Sequence, residues 1–349
     1  MFKKIFFPLF CAIFLTGSIC EAQIGGKGVF RFLNLPNSAK VAALGNALPM
    51  QIEPDFDETF LNPSLLTNTH QNSLALNYSN YVADINFGNI QYALKLKTDH
   101  TLSVGLMFIN YGNFDEYDAT ATPTGSSFTA GDYLLDVGYS KNWKNKIYYG
   151  ANAKLIYGSY DIYNSLAIAT DLAVTYKDTS NNLATGIILK NIGYQLNAFD
   201  QRRENLPFQI AVSLSKKLRF APFRYHITYN NLQQFNLSYT NPNTEGDTDL
   251  ISGESKDTNS NFTSKLSRHF IFGAEILLSP SFNLQAGYNL QQSKELNISG
   301  LGGLSGFSFG FSLHLKKLSL GYAHSTLNLA GSNNYFSLTL NPSFLNFKR

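Results

Sequence analysis

The sequence predicts an all-β protein, a 14-stranded antiparallel transmembrane β-barrel behind an N-terminal plug segment. The first observation behind this is alternation. In GFSFGFSLHL, Gly306 to Leu315, the odd positions are Phe307, Phe309, Phe311, Leu313 and Leu315, and the even positions are small or polar. Such a strand has one apolar face and one polar face. The second is composition: of 349 residues 15% are charged and 14% aromatic, too little charge for the surface of a soluble protein of this length. The third is the connections, which are short after even-numbered strands and mostly long after odd-numbered ones. Outer-membrane barrels show that asymmetry, with short periplasmic turns and long external loops.

In chain order, Met1-Phe2-Lys3-Lys4 is a charged lead, Ile5 to Ile19 is largely apolar, and Cys20-Glu21-Ala22 offers small residues at the −3 and −1 positions of a cleavage site. This is the grammar of a secretory signal peptide over residues 1–22. The apolar run is short for a helical span, which needs about 20 residues. Lipoprotein processing at Cys20 is the rival, and bulky Ile19 before it departs from that pattern. Both cysteines, Cys11 and Cys20, fall in this segment. The mature chain then has no disulfide framework, no Cys-ligated metal and no thiol nucleophile. A formal charge of +3 with no concentrated basic patch excludes nucleic acid as a partner.

Residues 23–71 do not alternate. Ser38 can cap a short helix through AKVAALG with Gly45 as its stop, and Pro63 can open another turn at PSLL. So long an apolar stretch without strand pattern is expected to fold into the barrel as a plug, with Phe30, Phe32, Leu33, Leu35 and Phe60 as buried anchors. The barrel itself takes residues 72–349. Its strands are expected at 72–81, 86–96, 101–114, 132–141, 146–158, 166–176, 182–192, 207–218, 223–230, 267–278, 282–290, 304–315, 318–324 and 334–340, the seventh ambiguous in phase. The external loops are residues 115–131, 193–206, 231–266, 291–303 and 325–333. Trp143, Tyr148, Tyr149 and Tyr157 fit an aromatic girdle at the membrane interface.

With the grease pointing at lipid, the polar face lines the lumen. There it carries Asp136, Lys154, Asp171 and Lys190 on the fourth to seventh strands, with Arg224 and Glu275 further on. Signs alternate from strand to strand, so a belt of cross-strand pairs that ties the wall together and anchors the plug is expected. No nucleophile elbow, zinc pair or phosphate loop is present, and GLGGLSG misses the dinucleotide spacing. The chain is therefore expected to be no enzyme and to hold no cofactor and no metal.

GGKGVFRFLNLPNSAKVAALGNAL (Gly25 to Leu48), FLNPSLL (Phe60 to Leu66) and SLALNYSNYVADINFGNIQYA (Ser73 to Ala93) resemble the PorQ family, outer-membrane components of the type IX secretion system of Bacteroidetes. NLQQFNLSY and RHFIFGAEILLSPSFNLQAGYN continue the likeness. LGNAL followed by NPSLL is similar to the N-terminal hatch of FadL-like barrels. The terminal SFLNFKR departs from the aromatic end common in outer-membrane strands. The resemblance implies a non-catalytic role in an attachment complex, holding a PorZ-like surface protein near a PorU-like sortase and a PorV-like barrel. Asn231, Gln233, Phe235 and Tyr239 form the expected base of a partner-docking loop. The alternative is a FadL-like transporter of hydrophobic molecules, and fold by itself does not choose.

Overall fold

The computed structural model is a closed barrel of fourteen antiparallel strands, each paired with its neighbours in sequence, with β1 closing against β14 from Leu74↔Leu340 to Asn80↔Asn334. It describes residues 28–82, 85–96, 100–118, 120–144, 146–237, 262–296, 304–328 and 331–341. The expected signal peptide lies outside them. The strands are β1 (Leu74–Asn80), β2 (Asn86–Lys95), β3 (His100–Tyr117), β4 (Pro123–Trp143), β5 (Ile147–Tyr160), β6 (Tyr163–Asp178) and β7 (Leu183–Asn197). The second half comprises β8 (Gln209–Lys217), β9 (Phe223–Tyr229), β10 (Phe270–Ser279), β11 (Phe282–Asn289), β12 (Phe307–His314), β13 (Leu318–Asn328) and β14 (Gly331–Leu340). Closure leaves no open sheet edge in hydrocarbon, where an unpaired backbone amide costs several kcal/mol, of order 4–8 by water-to-alkane transfer.

Alternation decides what faces outward. In β12, Phe307, Phe309 and Phe311 are exposed while Ser308 and Ser312 are buried. Leu106, Phe108, Tyr133, Leu155 and Tyr157 continue the apolar outer surface around the wall. Trp143 and Tyr149 also face out, but Tyr148 does not join the girdle. It shares the inward phase of Asn152 and Lys154, and its ring lies under the Lys177 ammonium at 4.5 Å.

Two expected loops are shorter than their sequences suggest. β3 and β4 stay paired as far as Tyr117↔Pro123, so residues 115–131 form mainly a hairpin and not a loop. Phe114 and Phe128 are cross-strand partners there, with rings stacked at 5.3 Å, and this aromatic pair holds the ladder together past the barrel rim. Likewise β13 runs to Asn328 and β14 starts at Gly331, which shortens the loop expected over 325–333. The longer connections on that side carry short helices, α2 (Phe262–Ser267) before β10 and α3 (Leu290–Leu296) before β12.

The segment ahead of β1 fills the lumen. Val29 N donates to Asn205 O at 3.2 Å, at the loop-bearing mouth, and Lys177 Nζ donates to Ile52 O at 3.0 Å near the short-turn end. The hatch therefore descends the lumen before β1 begins. Its helix α1 (Ala39–Ala43) is capped by Ser38, whose hydroxyl accepts from Val41 N at 3.4 Å. Phe30, Phe32, Leu33 and Phe60 are buried in one cluster, and Leu35 packs against it half-buried. The wall makes room: a Cβ on Gly287 would stand 2.2 Å from Gly45 N, so only glycine lets the hatch backbone come this close.

Candidate functional site, the hatch and lumen wall

Two charge clusters occupy the lumen. The first belongs to the wall. Asp136 of β4 stands opposite Lys154 of β5 in register, yet Lys154 Nζ pairs with Asp171 Oδ2 of β6 at 2.6 Å, a diagonal neighbour. All four of Asp136, Lys154, Asp171 and Lys190 are buried. Lys190 forms no ion pair among the described residues.

The reason lies in the backbone. Between Thr170↔Ile192 and Leu172↔Leu189 the single residue Asp171 faces Lys190 and Asn191, which is a β-bulge. Asn191 takes φ 57°, and its N–H donates to Asp171 Oδ1 at 2.7 Å, so the carboxylate replaces the interrupted ladder bond. Asn191 Oδ1 also accepts from Lys154 Nζ at 3.0 Å. The bulge accounts for the ambiguous phase of the seventh strand, whose inward set shifts from Ile188 and Lys190 to Asn191 and Gln195.

The second cluster joins wall to hatch. Glu275 of β10 is fully buried, and its Oε1 accepts from Arg224 Nη1 at 3.0 Å and from His226 Nε2 at 2.7 Å. Arg224 and Glu275 are register partners on β9 and β10. From the hatch, Lys40 reaches Asp55 at 2.7 Å, Glu58 at 3.7 Å and Glu275 at 3.8 Å. Arg224 Nη1 also donates to Gln51 Oε1 at 2.7 Å, Gln51 donates to Glu58, and His314 Nε2 meets Asp55 Oδ1 at 3.0 Å. The Asp55 side chain and Glu58 form a capping box over the turn Phe56–Phe60. A polar recess of about 220 Å³ lies beside this cluster, lined by Lys40, Asp55, Asp57, His70, His314 and Thr339.

Lys40, Gln51, Asp55 and Glu58 were not legible as partners of the belt. Their one signal is a lysine inside the short apolar helix and a run of acids, DFDE, further along the segment. Burial at those positions demands partners.

The root of the long β9–β10 connection holds the other expected residues. Asn231 accepts from Gln209 Nε2 at 3.2 Å and donates to Gln291 Oε1 at 3.3 Å. Gln233 accepts from Ile210 N and donates to Phe208 O, both at 2.9 Å. These hydrogen bonds tie both side chains to the barrel rim, with Asn231 half-buried and Gln233 exposed. Phe235 does face outward, beside Phe262 and His269. His269 is sandwiched between Tyr229 and Phe235, its ring nitrogens meeting Asn230 O at 2.7 Å and Phe235 O at 3.1 Å. Tyr239 lies outside the described residues. Among the described residues no cluster of His, Cys, Asp and Glu could hold a metal ion.

No known protein family matches the sequence. No curated protein matches it either. Among solved structures, the P. putida toluene transporter TodX is similar with a TM-score of 0.52 and 12% identity over 88% of this chain and 99% of that one. The Ralstonia pickettii toluene transporter TbuX gives 0.51 with 11% identity over 88% and 99%. A Pseudomonas aeruginosa FadL homologue gives 0.50 with 8% identity over 88% and 99%. At such identities the likeness speaks for architecture: the chain has the fold of the FadL-like outer-membrane barrels, a closed 14-stranded wall around an N-terminal hatch.

Proposed function

We propose that the protein is an outer-membrane barrel of a Gram-negative bacterium that works at its external face, as a component of a type IX attachment complex. In this reading it holds a PorZ-like surface protein near a PorU-like sortase and a PorV-like barrel, and it catalyses nothing. The observation that carries the reading is the charged, filled lumen. To pass along it, an apolar solute would have to part Lys40 from half-buried Asp55 and from buried Glu58 and Glu275. The resemblance of Gly25 to Leu48 supports the same reading, and most of that block is the buried part of the hatch.

A second reading, transport of small hydrophobic molecules, is favoured by a different observation. Solved structures of this fold include two toluene transporters and a FadL homologue. These comparisons lend it more support than they lend the first, since none of them bears on secretion. Shared fold alone does not assign function.

One pair of measurements separates the two. In the native host, gene deletion is expected to release normally surface-attached cargo into the medium while uptake of toluene and of a long-chain fatty acid stays unchanged. Retained cargo with lost uptake would establish the transporter in its place.

A further inference from the structure

The hairpin formed by β3 and β4 outgrows the barrel. β2 follows β3 only to Asn86↔Asn110, and β5 follows β4 only to Ala130↔Tyr160. Beyond those pairs, residues 113–117 and 123–129 are bonded to each other, and among the described residues no strand pairs with either outer edge. At about 3.3 Å per residue this is a ribbon on the order of 20 Å long. It stands on the loop-bearing side, and nearly all its residues are exposed on both faces.

Side chains tie the described residues of the ribbon to one another near its tip. Asp118 Oδ1 accepts from Thr120 N at 2.8 Å, Thr120 Oγ1 at 2.6 Å and Thr122 N at 2.9 Å. The Thr120 hydroxyl, with the two backbone amides, holds the Asp118 carboxyl below its usual range, so it stays charged. Thr124 Oγ1 donates to Glu116 O at 3.2 Å across the hairpin. Asp115, Glu116 and Asp118 all lie here, and no Lys or Arg occurs between Asn110 and Lys141.

An open strand edge is a template for another strand, and proteins ordinarily cover or blunt one. These edges are uncovered, and the charge on them is one-sided: Asp115 and Glu116 stand on the β3 strand with Asp118 at its end, whereas residues 123–129 of β4 carry no charge. Along the β3 edge the acids reject the same edge of a second copy and the anionic headgroups of the outer leaflet, since like charges brought together are unfavourable. They favour a basic edge. We propose that the β3–β4 ribbon is a docking arm that takes, by strand addition, an extracellular protein presenting a Lys- or Arg-bearing strand edge. The proposal rests on the surface-anchoring reading only in placing the partner outside the cell.

The test uses the full-length protein in its host, with a photo-crosslinking residue at Tyr117 or Ser126 in the ribbon, or at exposed Ile162 in the neighbouring β5–β6 turn. Mass spectrometry of the adducts is expected to find, at 117 and 126 and not at 162, one surface protein joined through a strand that carries Lys or Arg. The triple change Asp115→Lys, Glu116→Lys, Asp118→Lys is expected to lower that yield at least tenfold while heat-dependent gel mobility shows an intact barrel. Equal adducts at 162, adducts only to lipopolysaccharide, or a yield indifferent to charge reversal would overturn the dock. Cargo retention in the same cells separates the two ideas. Cargo that depends on the gene but not on the ribbon's charge sinks the docking arm and leaves surface anchoring standing. Cargo indifferent to the gene, with charge-sensitive adducts at 117, sinks surface anchoring and keeps the dock.

Discussion

Lys40 has three carboxylates within 3.8 Å, those of Asp55, Glu58 and Glu275. Removing one member of a buried pair leaves an uncompensated charge and costs about 3–5 kcal/mol. Lys40→Met is therefore expected to lower the heat resistance of the detergent-solubilised barrel and to loosen the hatch, because it unties Asp55 and Glu58 from Glu275. Lys154→Met is expected to cost a similar amount by stranding Asp171, which is fully buried. Joining it to Asp171→Leu should recover most of that loss, since a buried pair replaced by apolar groups is often neutral or better. A double variant no more stable than the single would mean that Asp171 is needed for its bond to Asn191 N, the bulge, and not for its charge.

At the scale of elements, the hatch and the wall are separate layers that meet through small residues. Leu44 and Gly45 press on Gly287, and Phe60 presses on Gly105, where a Cβ would stand 2.8 Å from its ring. Deleting residues 28–71 is expected to leave a barrel that inserts and conducts ions steadily in planar bilayers, whereas the intact chain does not. Gly287→Leu drives a side chain into the hatch backbone and should give intermittent conductance with the wall's heat resistance largely kept. Conductance unchanged in both variants would mean that the segment does not close the lumen. The strands themselves were legible because a period of two is written into every few residues. The bulge at Asp171, Lys190 and Asn191 was not, since it shows in sequence only as a lost phase. The β3–β4 ribbon was masked for the opposite reason: Thr, Ser and Gly around Phe128 read as loop until that ring is paired with Phe114.

For the whole molecule, the parity of strands places the turn at Ile162 and the turn at Asn181 on opposite sides of the membrane. An epitope inserted at 162 is expected to be labelled on intact cells and one at 181 only after permeabilisation. The reverse pattern would invert the topology and with it every statement about the external face. What the sequence by itself determined is the barrel: strand number, the outward face of the strands other than the seventh, and a segment without alternation ahead of them. All of these are local, set by alternation and by turn composition. What only the tertiary structure decided is which charge meets which. Ala39 N donates to the Ser337 hydroxyl across 298 positions of sequence, and Lys40 reaches Glu275. Lys154 passes over the aspartate directly opposite it for the diagonal one. Such choices depend on strand register, on a single bulge and on how deeply the hatch seats, and alternation carries none of that information, because an inward residue has the same pattern whatever it meets inside.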